Sequence, residues 1–122
     1  MATYLTLFTY ARDAWHRMVQ RPEDREEAAR AVIDAAGGRL VAFYWMLGEH
    51  DGLAIYEAPG ASAAAAVNAA IASSGQVSHS RTASLLTSDE ALATLELARV
   101  VSDSYPPPGG LAEWRAGYDE LG

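Results

Sequence analysis

Residues 39–58 read RLVAFYWMLGEHDGLAIYEA, and their pattern predicts two strands separated by a short turn. Residues 39–47 are apolar on both faces and predict one strand, while residues 53–58 predict the next. The five residues between them, 48–52, form a turn with a glycine at each end. Two strands joined by so short a turn make an antiparallel β-hairpin.

The segment before the hairpin predicts a strand followed by helix. In residues 3–10, Leu5 and Leu7 point to one face, and the alternate positions point to the other: Tyr4, Thr6, Phe8 and Tyr10. Helical spacing of apolar residues then runs from about residue 11 to residue 36, where two glycines end it. Pro22 interrupts this run and suits a first helical position, which predicts either two helices or one kinked helix.

The segment after the hairpin predicts helix, strand and helix. Residues 63–71 are alanine-rich and helical, and residues 76–86 form a more polar strand. The sequence Thr87-Ser88-Asp89-Glu90 matches a capping box and opens a helix through about Val101, with Leu92 and Leu95 facing inward. The resulting order predicts an α+β fold of the ferredoxin-like βαββαβ type, with an antiparallel sheet and helices on one face.

An open sheet face of this composition predicts self-association. We expect it to expose Tyr4, Phe8, Tyr10 and the outward half of residues 43–46. An apolar patch of this kind usually marks an interface. The expected assembly is a homodimer or a higher homo-oligomer in which two sheets enclose a barrel.

The sequence predicts that the chain divides into three segments. Residues 1–101 form the domain, residues 102–110 are a Pro/Gly linker, and residues 111–122 form a short amphipathic helix. The apolar stripe of that helix comprises Leu111, Trp114, Tyr118 and Leu121. A helix this short needs a surface to dock on, either the globular part or another protein.

Composition excludes several classes of function. The 122 residues contain nine arginines, no lysine and sixteen acids, which gives a formal charge of −7. We therefore expect no nucleic acid, no membrane partner and no lysine Schiff base. The absence of cysteine excludes disulfides and thiolate catalysis. From this absence, and from the absence of any pattern typical of a leader or a membrane span, we expect a cytoplasmic protein. No cofactor is expected.

Several motifs resemble the GYD-domain family of small bacterial proteins. They are Gly37-Gly38-Arg39-Leu40, Phe43-Tyr44-Trp45, Gly48-Glu49-His50-Asp51 and Ile55-Tyr56-Glu57-Ala58-Pro59, together with the run from Tyr10 to Pro22. The resemblance covers about residues 1–97 and implies a ferredoxin-like domain of the dimeric α+β barrel type, without implying a reaction. The chain departs from the family pattern at His50, at His79 and Arg81, and in the tail after Val101.

Those departures supply the candidate catalytic residues, His79, Arg81 and His50. His79 and Arg81 share one face of a predicted strand, where they form either a cationic spot in a barrel or a solvated pair. His50 lies between Glu49 and Asp51 and is either a general acid–base group or an exposed turn residue. His16 is expected at the surface.

The aromatic side chains are candidates for substrate binding, or alternatively for core and dimer packing. The candidates are Tyr44, Tyr10, Phe8, Trp45 and Tyr56. No metal site is expected, although His16, His50 and His79 together would have suitable chemistry.

Two functions follow from these patterns. One is a cofactor-independent isomerase, cyclase or oxygenase acting on a small aromatic or polyketide-like molecule inside the barrel. The other is a non-catalytic oligomer that binds a ligand or a protein. We expect a small apolar or aromatic ligand in the first case.

Overall fold

The structure is a computed structural model that describes residues 1–121, with side chains described through residue 117. Its strands are β1 (Ala2–Tyr10), β2 (Arg39–Trp45), β3 (Gly52–Ala58) and β4 (Val77–Leu85). Its helices are α1 (Arg12–Gln20), α2 (Arg25–Ala35), α3 (Ala61–Ser73), α4 (Ser88–Val101) and α5 (Leu111–Leu121). The chain divides after Leu85 into two compact units.

The first unit is a ferredoxin-like α+β fold, which confirms the prediction from sequence. Its four strands form one antiparallel sheet in the order β2-β3-β1-β4, with β1 and β3 at the centre. β2 and β3 form the predicted hairpin. Each inner strand therefore has a neighbour on both sides, and each outer strand has one.

The prediction of which side chains lie on the open face was wrong. Tyr4, Phe8 and Tyr10 are only 7–8% exposed, because they face the helices and lie in the core. Tyr4 belongs to a core cluster with Ile33 of α2, whereas Phe8 and Tyr10 belong to a second cluster with Ala14 of α1. Both sets of alternating side chains in β1 are bulky, so alternation alone did not reveal which set the helices cover.

The open face, which is the face of the sheet opposite this core, instead carries the alternate side chains of each strand. Leu7 of β1 is paired with Leu53 of β3 and with Arg81 of β4. One row further along, Leu5 is paired with Ile55 and Ala83. The four leucine and isoleucine side chains are half-buried, so this face has an apolar centre between polar outer positions.

Helices α1 and α2 are separate, as one of the two sequence interpretations predicted. α2 begins at Arg25, three residues after Pro22, so Pro22 does not occupy its first position. The side chain of Asp24 accepts a hydrogen bond from the Glu26 N–H at 2.9 Å and caps the helix there.

The second unit contains α4 and α5. The predicted capping box is present: Thr87 Oγ1 accepts from the Glu90 N–H at 3.1 Å, and Glu90 accepts from the Thr87 N–H at 3.0 Å. Hydrogen bonds to its carboxylate, first from the Thr87 backbone and then from the Thr87 side chain, lower the pKa of Glu90. Leu92 and Leu95 do not face inward as predicted; they are 57% and 67% exposed.

α5 forms at the predicted position. Of its predicted apolar stripe, Leu111 is 47% exposed and Trp114 is half-buried, whereas the side chains of Tyr118 and Leu121 lie outside the described residues. Within the described chain, no helix is both long enough and apolar enough to cross a membrane.

Candidate functional site

A cleft of about 280 Å³ lies between the sheet and helices α2 and α3, and we call it the apolar cleft. Its walls combine aromatic side chains of the sheet, including Phe8 and Phe43, with aliphatic side chains of the helices, including Val32 and Ile71. Three alanines, Ala28, Ala29 and Ala70, line it from the helices. Small side chains at these helical positions leave the space open.

One end of the apolar cleft is polar. Arg25, at the first turn of α2, lines this end together with Tyr10, and the two side chains interact. Burial raises the pKa of Tyr10 above its usual value, although Arg25 opposes the shift. Burial lowers the pKa of Arg25, but hydrogen bonds with Tyr10 and Glu23 outweigh it and leave that pKa raised. A cation and a neutral phenol therefore line this end together.

A chain of hydroxyl groups starts at the wall of the cleft. The hydroxyls of Tyr56 and Thr6, which both line the cleft, are 3.2 Å apart, and Thr6 Oγ1 is 2.8 Å from Thr82 Oγ1. Thr82 donates in turn to the Asn68 side-chain oxygen of α3 at 3.5 Å. Either hydroxyl of each pair can donate or accept, so the Tyr56 hydroxyl brings a polar group of both kinds to the wall of the cleft.

The hairpin turn fixes the end of β1 next to the cleft. The Asp51 side chain accepts hydrogen bonds from the Tyr10 N–H at 2.8 Å and from the Trp15 indole at 3.3 Å. Trp45 completes an aromatic cluster, with ring centroids 5.6 Å from Tyr10 and 5.8 Å from Trp15. Asp51 is thus a structural residue of the turn.

The predicted catalytic residues meet in a different place. His50, His79 and Arg81 line one hollow of about 580 Å³ at an end of the open face, which we call the open-face hollow. His50 Nδ1 lies 3.4 Å from Thr9 Oγ1, and Thr9 is the β1 residue paired with His79. Glu49 also lines the hollow and brings a carboxylate to the three basic side chains.

The predicted substrate-binding residues are divided between the two faces of the sheet. Phe8, Tyr10 and Tyr56 line the apolar cleft. Tyr44 is 63% exposed and is paired with Leu53 on the open face, whereas Trp45 packs on Tyr10 at the helix side. The structure does not bring the aromatic candidates and the three predicted catalytic residues into one site.

The three histidines line two different hollows. His16 lies on α1 and lines another hollow, away from His50 and His79. Within the described part of the chain, no three His, Asp or Glu side chains are arranged to hold a metal ion.

Arg25 is the residue at this site that sequence reasoning missed. It lies in a run of acidic residues, 23–27, which resembles an ordinary solvated helix start. A signal was nevertheless present, because Arg17, Arg21 and Arg25 recur at intervals of four residues.

Comparison with known proteins agrees with the motifs of the hairpin. No curated protein matched the chain in a sequence search. A family model described as the GYD domain matches residues 4–95, which include β2 to β4, most of β1, and the helices α2 and α3 that line the apolar cleft. The chain therefore belongs to the GYD domain family.

Proposed function

We propose that this protein binds a small, mainly apolar molecule in the apolar cleft between the sheet and helices α2 and α3. The observation that carries the proposal is the cleft itself, about 280 Å³ of space bounded by aromatic and aliphatic side chains with a few polar groups. Ligand sites in proteins typically have this composition.

The cleft is unlike a packing defect. Protein interiors are close-packed, and empty space beside large apolar side chains lowers stability. Here three alanines line the space, and polar groups lie at different parts of its wall: Arg25 with Tyr10, and Tyr56 with Thr6. An aromatic or aliphatic body with polar substituents fits these walls.

The test uses N-phenyl-1-naphthylamine, an uncharged aromatic probe whose fluorescence rises in apolar surroundings. We expect saturable binding to the wild-type protein and a loss of at least about tenfold in affinity when Ala29→Phe fills the cleft. Ala70→Phe, on α3, is the second cleft-filling variant. Val19→Phe, on an exposed part of α1, is the control and leaves binding unchanged.

The opposite results would refute the proposal. No saturable binding, or equal affinity in all four proteins with thermal midpoints showing that each is folded, would mean that the apolar cleft is not a ligand site.

We also propose that two chains associate through the open sheet face. Its centre is apolar, with Leu5, Leu7, Leu53 and Ile55. Charged groups lie around this centre: the Arg39–Glu57 ion pair is in a neighbouring row, and Arg81 is on the outer strand β4. A two-fold interface places the same apolar centre on both partners, and charged groups at the rim are compatible with such a contact.

A second candidate function is acid–base catalysis at the open-face hollow without a cofactor. The meeting of His50, His79 and Arg81 around one hollow supports it. An imidazole there removes a proton from carbon next to a carbonyl, and the guanidinium stabilises the enolate oxygen that forms.

Exchange of solvent deuterium into 2-tetralone, an enolisable aromatic ketone, tests this chemistry. We expect His79→Ala and Arg81→Ala to slow the exchange by roughly 10²–10⁴-fold with little change in the thermal midpoint. Equal exchange rates in the wild-type protein and both variants would refute catalysis at the open-face hollow, and ligand binding would remain the proposed function.

A further inference from the structure

A second hollow, of about 470 Å³, adjoins the apolar cleft, and we call it the outer hollow. The two share three residues: Tyr10, Arg25 and Gln76. Tyr10 and Arg25 are also the two residues that form the polar end of the cleft. A molecule in the apolar cleft that extends past this pair enters the outer hollow.

The outer hollow is rich in positive charge. It is lined by Arg17, Arg21, Arg25 and His16, with Glu23 as the one acid among the residues described there. Three of the nine arginines of the chain line this hollow, although the chain as a whole carries a formal charge of −7. A local field of this sign attracts anions and orients them toward the arginines.

The partners of these arginines leave room for an anion. Arg17 donates to the Gln76 side chain at 3.1 Å, and Arg25 pairs with Glu23 at 2.6 Å. The Arg25 side chain is 29% exposed and the Glu23 side chain is 61% exposed, so Glu23 can turn into solvent and a bound anion can take its place beside Arg25. Among the described residues, none forms an ion pair with the Arg21 side chain.

We infer that the ligand of the apolar cleft is an amphipathic anion, with an apolar body in the cleft and one oxyanion group, such as a carboxylate, against Arg25. This inference rests on the proposed function and adds the chemical class of the ligand. The guanidinium of Arg25 presents a planar pair of donors, and the neighbouring Tyr10 hydroxyl remains protonated and able to donate. Arg17 and Arg21 add to the potential on the side of the outer hollow.

The test compares two probes that differ by one anionic group. They are N-phenyl-1-naphthylamine and its sulfonate, 1-anilinonaphthalene-8-sulfonate. In the wild-type protein we expect the sulfonate to bind more tightly, and its advantage to shrink as salt is raised from low to moderate concentration. Arg25→Gln should reduce the ratio of the two affinities by about tenfold or more, because it removes a charge-assisted hydrogen bond.

Matched variants separate the contribution of Arg25 from a general loss of charge. Arg30→Gln, on the same helix, removes an arginine that pairs with Glu26 and does not line the cleft, so the affinity ratio should stay at the wild-type value. Arg21→Gln should lower the ratio by a smaller factor than Arg25→Gln. The salt dependence in the wild-type protein gives an answer even if Arg25→Gln fails to fold.

The outcomes distinguish this inference from the proposed function. If the neutral probe binds and is displaced by filling the cleft, but neither salt nor Arg25→Gln changes the affinity ratio, the anionic class is refuted and the cleft remains a binding site. If the neutral probe does not bind at all, the proposed function fails and this inference fails with it.

Discussion

The carboxylate of Asp51 holds the backbone of Tyr10, whose N–H it accepts at 2.8 Å. This contact joins the hairpin turn to the last residue of β1, where the chain leaves the sheet for α1. The same carboxylate accepts the indole N–H of Trp15, so one side chain orients both elements. Tyr10 in turn meets Arg25 at the polar end of the apolar cleft.

Asp51→Ala is expected to destabilise the protein by about 1–3 kcal/mol, because two donors lose a charged acceptor. The free energy of unfolding is measured by urea denaturation. Glu49→Ala, in the same exposed turn, is the control and should change stability by no more than about 0.5 kcal/mol. Equal effects of the two substitutions would mean that the Asp51 contacts contribute nothing.

Gly52→Ala should cost about 1–3 kcal/mol, because a Cβ at this position would lie 2.5 Å from the ring of Phe8. Phe8→Leu in the same chain should recover part of that loss, since it removes the ring that the new methyl group meets. Urea denaturation of the two single variants and the double variant measures this coupling. Strict additivity of the two losses would contradict the clash.

Thr6→Val tests the chain of hydroxyl groups. It leaves the buried Tyr56 hydroxyl without its partner, and we expect a loss of about 1–3 kcal/mol in urea denaturation. Thr82→Val, at the exposed end of the chain, should cost less because water replaces the lost hydrogen bond. If Thr82→Val lost more stability than Thr6→Val, the hydrogen bond at the exposed end of the chain of hydroxyls would contribute more than the buried one.

The raised pKa of Tyr10 predicts a loss of stability in alkali. A phenol with a higher pKa in the folded state stabilises the protein fully below its unfolded pKa of about 10, and this contribution is lost as the pH rises through the folded pKa. Thermal midpoints measured from pH 7 to 11 should fall less in Tyr10→Phe than in the wild-type protein. Tyr44→Phe, at an exposed position, should follow the wild-type curve.

Tyr44→Glu should disrupt the proposed pairing of open faces. It adds a charge near Leu53 in the apolar rows while remaining exposed within one chain. Sedimentation at micromolar concentration should show a dimer for the wild-type protein and for Val19→Glu, and a 13.0 kDa monomer for Tyr44→Glu. A wild-type monomer would refute the interface.

Local sequence patterns predicted the elements well and their sidedness poorly. The hairpin, the capping box at Thr87 and the interruption at Pro22 depend on neighbouring residues, and all three appear in the structure. The orientation of β1 depends on the packing of helices that are distant in sequence. Leu7 and Phe8 are both suited to burial, so only the packed structure shows that Phe8 faces the helices.

At the candidate site, too, the sequence shows some features directly, whereas others appear only in the packed structure. His79 and Arg81 share a strand face because they are two residues apart, and the sequence revealed that directly. The apolar cleft depends on the distance between α2 and the sheet, to which no short motif corresponds. Arg25 acquires its position only when α2 packs beside Tyr10.

The two outer strands also limit how the sheet can grow. β2 carries an irregularity between Leu40 and Ala42 that interrupts its regular pairing, and β4 has exposed polar residues such as Ser78 and Arg81. Bulges and charged side chains at sheet edges hinder a strand of another molecule from adding by backbone hydrogen bonds. A chain with this arrangement is protected against edge-to-edge aggregation while it folds, even though the centre of its sheet is strongly apolar.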